Sequence, residues 1–159
     1  MSGSYMPLSA DRWTGLVMCI RVIGVDLSAV GADAKMQIRS AANLPDGGGE
    51  PLRTFGLVAD ADVETVPGLN VAGVHVDAGV PTSVINLRTF DISDLPWPDE
   101  RGDDVTLEHD LHVKAAGGVF QRAGYGPFTV RAGVARPGVL ITEGGDAILA
   151  EDGSNIITE

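Results

Sequence analysis

The clearest period in the chain lies at 105–114, where Val105, Leu107, His109, Leu111 and Val113 alternate with Thr106, Glu108, Asp110, His112 and Lys114. A repeat of two sends one set to a buried face and the other to a wet face, the pattern of a half-buried β-strand. A helix would scatter the same aliphatic side chains and leave no stripe. Burying the four aliphatic ones contributes ~1.5–3 kcal/mol each before conformational entropy is counted. The Ala115-Ala116-Gly117-Gly118 reversal predicts an antiparallel return through 119–122, because glycine reaches the positive φ of tight turns. A further turn is expected at Gly124-Tyr125-Gly126-Pro127, followed by a strand over 128–134.

Weaker periods run along the rest of the chain. Residues 1–11 read as an N-terminal arm, either flexible or extended and docked on another surface. The first strand is expected from Trp13 to Ile23. Met18, Ile20 and Val22 share one face there, Cys19, Arg21 and Ile23 the other, and the near-continuous apolar run predicts burial on both sides. Ala34, Met36 and Ile38 alternate with Lys35, Gln37 and Arg39 in a clean strand. Asn43 to Pro51 is a glycine-rich loop. Strands are expected over 52–59, 69–76 and 83–88, the last with imperfect alternation. A loop over 90–104 is expected to cross the sheet ends, with one helical turn capped by Ser93 and Trp97 plugging the core edge. Short strands with turn signals every 8–15 residues predict an all-β, immunoglobulin-like β-sandwich over 12–135, a small barrel being the alternative.

Beyond Arg136-Pro137-Gly138 the pattern changes to an eight-residue repeat over 139–159: Leu140 to Ala147, Ile148 to Asn155, and Ile156 to Glu159. Each unit has two apolar residues followed by small, acidic and glycine or polar positions. One unit can form a short β-strand and turn, yet it cannot bury its own apolar pair. This acidic β-repeat tail is therefore expected to order on self-association, through an interface of Leu140, Ile141, Ile148, Leu149, Ile156 and Ile157. A frayed acidic terminus is the alternative.

Composition narrows the function classes. With 159 residues the chain holds one domain and a tail. Twenty-one glycines and few aromatic residues suit a turn-rich β protein. A net charge of −11 repels phosphate backbones and anionic lipid, so neither a nucleic acid nor a membrane is the expected partner. The lone Cys19 permits no intrachain disulfide and no multi-cysteine zinc site. The start of the sequence lacks the basic and apolar regions of a signal peptide, which points to a reducing cytosol or a particle assembled there.

Candidate chemistry is sparse. Asp110 and His112 share a strand face beside Glu108, with His109 on the opposite face, so a metal site would lack the third and fourth ligands. The expected reading is a wet Asp/His pair and a core-edge histidine. No nucleophile elbow occurs, and the Asp46 to Gly49 segment lacks the Gly-Lys-Ser/Thr ending of a phosphate loop. Gly144-Gly145-Asp146 matches calcium-binding nonapeptide repeats only superficially. No cofactor, metal or catalytic residue is expected. Trp13 and Trp97 are the candidate stacking residues if the sandwich is a carbohydrate-binding module.

Several segments carry a family resemblance: Gly24-Val25-Asp26-Leu27-Ser28, Ala34 to Arg39, Leu44 to Leu52, Gly79 to Ile85, Gly102 to His112, Gly117 to Arg122, and Gly126 to Val134. Over about Trp13 to Val134 their order resembles the immunoglobulin-like amino-terminal domain of upper baseplate and fibre-attachment proteins of tailed phages and prophages. The acidic tail repeats also look like the ends of some phage virion proteins. The resemblance implies a non-enzymatic virion building block, docked to other virion proteins and usually trimeric, assembled in the host cytoplasm. A capsid-surface decoration protein is the neighbouring alternative. The family has no catalytic residues to carry over.

Overall fold

The computed structural model describes residues 3–12, 14–41, 49–90, 92, 94–95 and 104–131. These residues form an all-β sandwich of two sheets. The strands are β1 (Ser4–Tyr5), β2 (Leu8–Asp11), β3 (Val17–Ile23), β4 (Asp33–Arg39), β5 (Arg53–Gly56), β6 (Gly68–Asp77), β7 (Val80–Arg88), β8 (Val105–Lys114) and β9 (Gln121–Arg131). A single 3-10 turn at Asp60–Asp62 is the one helical element among the described residues. The larger sheet has the order β1-β9-β8-β4-β5, with β2 also on β9; the smaller has the order β3-β7-β6.

Alternation builds the core. From the larger sheet, Ala34, Met36 and Ile38 of β4 point inward with Leu107, Leu111 and Val113 of β8 and Phe128 and Val130 of β9. From the smaller sheet, Ile20, Val22, Leu69, Ile85 and Leu87 meet them. The strands expected at 34–39 and 105–114 are present with the expected inward residues.

Residues 4–11 take the extended, docked form of the expected arm: β1 and β2 run parallel to β9 in one continuous register, from Ser4 opposite Gly124 to Asp11 opposite Arg131, which carries the sandwich back from residue 12 to Ser4. Other expectations need correction. The first strand therefore begins at Ser4, and β3 begins at Val17 rather than Trp13, which lies outside the described residues. Burial of β3 on both sides is also wrong. Ile20 and Val22 are buried, but Val17 and Ile23 are 66% and 67% exposed, and Cys19 is exposed as well.

The turn expected at Gly124 to Pro127 does not form. β9 passes straight through it, pairing Glu108 with Pro127 and Leu111 with Gly124. Pro7 and Pro127 fall opposite each other in the β2–β9 register, and neither has an N–H to give the ladder, so the parallel strand is interrupted at Met6–Pro7 instead. Gly126 allows this approach: a Cβ there would lie 2.8 Å from the Met6 carbonyl oxygen.

Elsewhere β5 ends at Gly56, and Leu57 already bridges to Leu69 in the other sheet. β7 starts at Val80, after a two-residue turn at Ala78 and Gly79, both at positive φ. Its alternation is regular once Ser83 is counted as an inward residue. The Ser83 hydroxyl accepts from Leu27 N–H at 2.9 Å and donates to the Val25 carbonyl at 2.8 Å, tying down the β3–β4 connection. Trp97, Ser93 and the whole 139–159 repeat, including Leu140, Ile141, Ile148, Leu149, Ile156 and Ile157, lie outside the described residues.

Candidate docking edge and its surroundings

A β-sandwich has four lateral edges, and an unguarded edge strand offers its spare N–H and C=O groups to another chain. Among the described residues three of the edges are blunted. β1 and β2 are broken at a proline, β5 has four residues, and β6 carries an irregularity between Val71 and Gly73. β3 is the exception: seven residues, Val17-Met18-Cys19-Ile20-Arg21-Val22-Ile23, with no proline, glycine or bulge.

Its hydrogen-bond parity follows from its two ends. Thr89 N–H donates to the Leu16 carbonyl at 3.0 Å and Gly24 N–H donates to the Pro81 carbonyl at 2.7 Å. In an antiparallel ladder this places the bonds to β7 on the even-numbered residues, so Val17, Cys19, Arg21 and Ile23 direct their N–H and C=O away from the sheet. Among the described residues no strand pairs with that side of β3.

Beside the same edge the two sheets part. A cleft of about 260 Å³ opens between β1 and β3, lined by Met6, Ile20, Val22, Leu111, Ala123 and Gly124 among others. Apolar surface thus continues from the core to the edge, and across the edge to Val17 and Ile23 outside. Arg21 is the one charged residue of β3.

The sequence-predicted chemical cluster is not one site. On β8, His109 turns into the core while Asp110 and His112 lie on the opposite face. His109 is 2% exposed; its Nε2 donates to the Met6 carbonyl at 2.6 Å, and its ring meets Phe128 edge-on. Burial pushes the His109 pKa below the ordinary imidazole value, against the opposing pull of the Met6 carbonyl and of Asp110. The neutral ring is therefore a strut: it satisfies the carbonyl left over where the N-terminal strand is interrupted. Among the described residues no three His, Cys, Asp or Glu side chains are grouped to hold a metal ion.

A second surface was not foreseen. On the wet face of the larger sheet, Tyr5 stands edge-on to Tyr125 with ring centroids 6.0 Å apart, and the Arg122 guanidinium covers Tyr125 at 4.7 Å. Arg122 lies 4.0 Å from Asp110, and further along the Phe120 ring sits between Lys35 and Lys114 at 4.5 and 5.3 Å. Such rings gain about 0.5–1 kcal/mol from an exposed cation. The partners come from β1, β4, β8, β9 and the β8–β9 turn, so no local pattern announces them.

Compared with family models, with curated proteins and with solved structures, the chain matches none. Its function has to be read from its surfaces.

Proposed function

We propose that the chain is a non-enzymatic structural protein of a tailed-phage or prophage virion, a tail, baseplate or fibre-attachment adaptor. On this reading it docks to other virion proteins and oligomerises, as a trimer, through its sheet edges and its C-terminal repeat. The observation that carries the reading is the open β3 edge with apolar surface on both sides of it. An edge of this kind is a liability in a lone protein and an asset in one that assembles.

We also read the sandwich as immunoglobulin-like. The order β9-β8-β4-β5 against β3-β7-β6 follows that of the G-F-C-C′ and B-E-D strands of such domains, and supports the reading. The charge of −11 keeps unassembled copies apart and soluble.

Deleting 139–159 is expected to leave a folded sandwich that fails to assemble. Light scattering checks this, and an unchanged oligomer size would overturn the role given to the tail. Mass spectrometry of purified particles, with stoichiometry, tests the virion assignment directly.

A second reading, glycan binding, is favoured by the Tyr5–Tyr125 pair beside Arg122 and Asp110. Aromatic rings next to paired polar groups suit sugar stacking. Trp13 and Trp97, named for that role from the sequence, lie outside the described residues. A glycan array without hits discards this reading.

A further inference from the structure

The sandwich offers an unpaired strand edge, and the sequence offers apolar doublets that cannot bury themselves. We propose that one eight-residue unit of the 139–159 segment from a neighbouring copy adds as a strand to the open edge of β3. This rests on the assembly reading above and names the receptor within it.

Three observations select this occupant. The first is chemical fit. Adjacent residues of a strand point to opposite faces, so a doublet such as Ile148-Leu149 sends one side chain into the cleft by Met6, Ile20, Val22 and Leu111. The other lies on the outer face between Val17 and Ile23. A strand with strictly alternating polarity would satisfy only one of these surfaces. β3 spans seven residues and the repeat has eight, so one unit covers one edge.

The second is charge. The segment carries Glu143, Asp146, Glu151, Asp152 and Glu159 with no Lys or Arg after Arg136. β3 carries Arg21 and no carboxylate.

The third is where the described chain stops. Arg131 pairs with Asp11, and Arg12 N–H donates to the Arg131 carbonyl at 3.2 Å, at the end of the sandwich where β3 begins. Residues 132–138 span at most ~23–25 Å when extended, about the length of the seven-residue β3 itself. A unit from a neighbour is free to add antiparallel, the slightly more stable pairing, and the oxidation experiment below separates it from a unit of the same chain. One edge per copy against three doublets per tail also leaves units available for other copies.

Cys19 is the native reporter, because it is exposed at the middle of this edge and is the only cysteine. In the full-length protein its alkylation by a small maleimide is expected to be roughly tenfold or more slower than in a full-length variant with all six doublet residues changed to serine. Oxidation of full-length Leu140→Cys, Ile148→Cys or Ile156→Cys chains is expected to link Cys19 to the introduced thiol between chains. Peptide mapping by mass spectrometry of the dimers or larger species from a non-reducing gel identifies that linkage; a bond within one chain, or dimers joined only through like positions, overturns the neighbour-copy assignment.

Arg21→Pro removes an outward N–H and the charge while sparing the ladder to β7. It is expected to abolish assembly with an unchanged β-sheet circular dichroism spectrum. Arg21→Glu, which keeps the backbone, is expected to weaken assembly roughly two- to fivefold at low salt. If the serine variant loses assembly while Cys19 reacts at one rate in both proteins, the tail assembles elsewhere and the β3 receptor is overturned. If that variant assembles like the wild type, the assembly role of the tail fails with it.

Discussion

β3 and β9 make the instructive pair. β3 is almost wholly apolar, the composition of a central strand, yet it stands at an edge with one face in water. β9 contains Gly124, Gly126 and Pro127, the composition of a turn, yet it lies inside its sheet with β8 on one side and β1 and β2 on the other. Composition here reports what a strand is prepared to touch rather than where it sits. β9 admits glycine and proline because its partner is interrupted at the matching place. β3 keeps its apolar outer residues because, in the proposal above, another chain covers them.

That contrast breaks most visibly by truncation. Phe128→Ala on β9 removes a fully buried ring and is expected to cost about 3–5 kcal/mol, whereas Val17→Ser on the outer face of β3 should shift stability by no more than about 0.5 kcal/mol. Urea unfolding of both variants, made in the chain lacking 139–159, checks the pair; a large loss from Val17→Ser there would mean that β3 is covered within its own sandwich.

His109→Leu comes next. It leaves the part-buried Met6 carbonyl without its donor, at an expected cost of about 1–3 kcal/mol near pH 8. The same position sets a pH dependence. The folded protein holds the His109 pKa below 6.5, so the unfolded chain binds the extra proton first as pH falls. Stability is therefore fully present above the unfolded value and declines as pH drops from 6.5 toward the folded pKa. Denaturant titrations at pH 8 and pH 5 should show this decline in the wild type and a smaller one in His109→Leu. A small gain is expected at the β6–β7 turn, where Ala78 adopts φ +47. Ala78→Asn, a residue that tolerates this conformation, should raise stability by roughly 0.5–1 kcal/mol in thermal unfolding.

Much of the fold was legible where one face is buried and one is wet. β4 and β8 satisfy that condition, and their inward residues follow directly from the alternation. The misreadings share one cause, a partner distant in sequence. The Met6–Pro7 interruption explains why Gly124 to Pro127 is no turn, and it lies at the opposite end of the chain. The alternation over 83–88 looked imperfect because its inward row starts at a polar residue, Ser83, whose partners, Leu27 N–H and the Val25 carbonyl, belong to another connection. Of the surfaces, His109 was readable as a core-edge residue, while the Tyr5–Tyr125 and Lys35–Phe120–Lys114 groupings exist only once four strands are side by side. The β3 edge was visible as an apolar run but not as an edge, since edges are set by topology.

The pairing of Ser4 with Gly124 and of Leu8 with Phe128 also dictates an order of events during synthesis. Strands made first must wait, at about 5–20 residues per second, for the last strand of the sandwich to leave the ribosome. Until then Leu8 and Ala10 have no seat, and the opening segment is the natural place for a nascent-chain factor to hold or for a protease to cut.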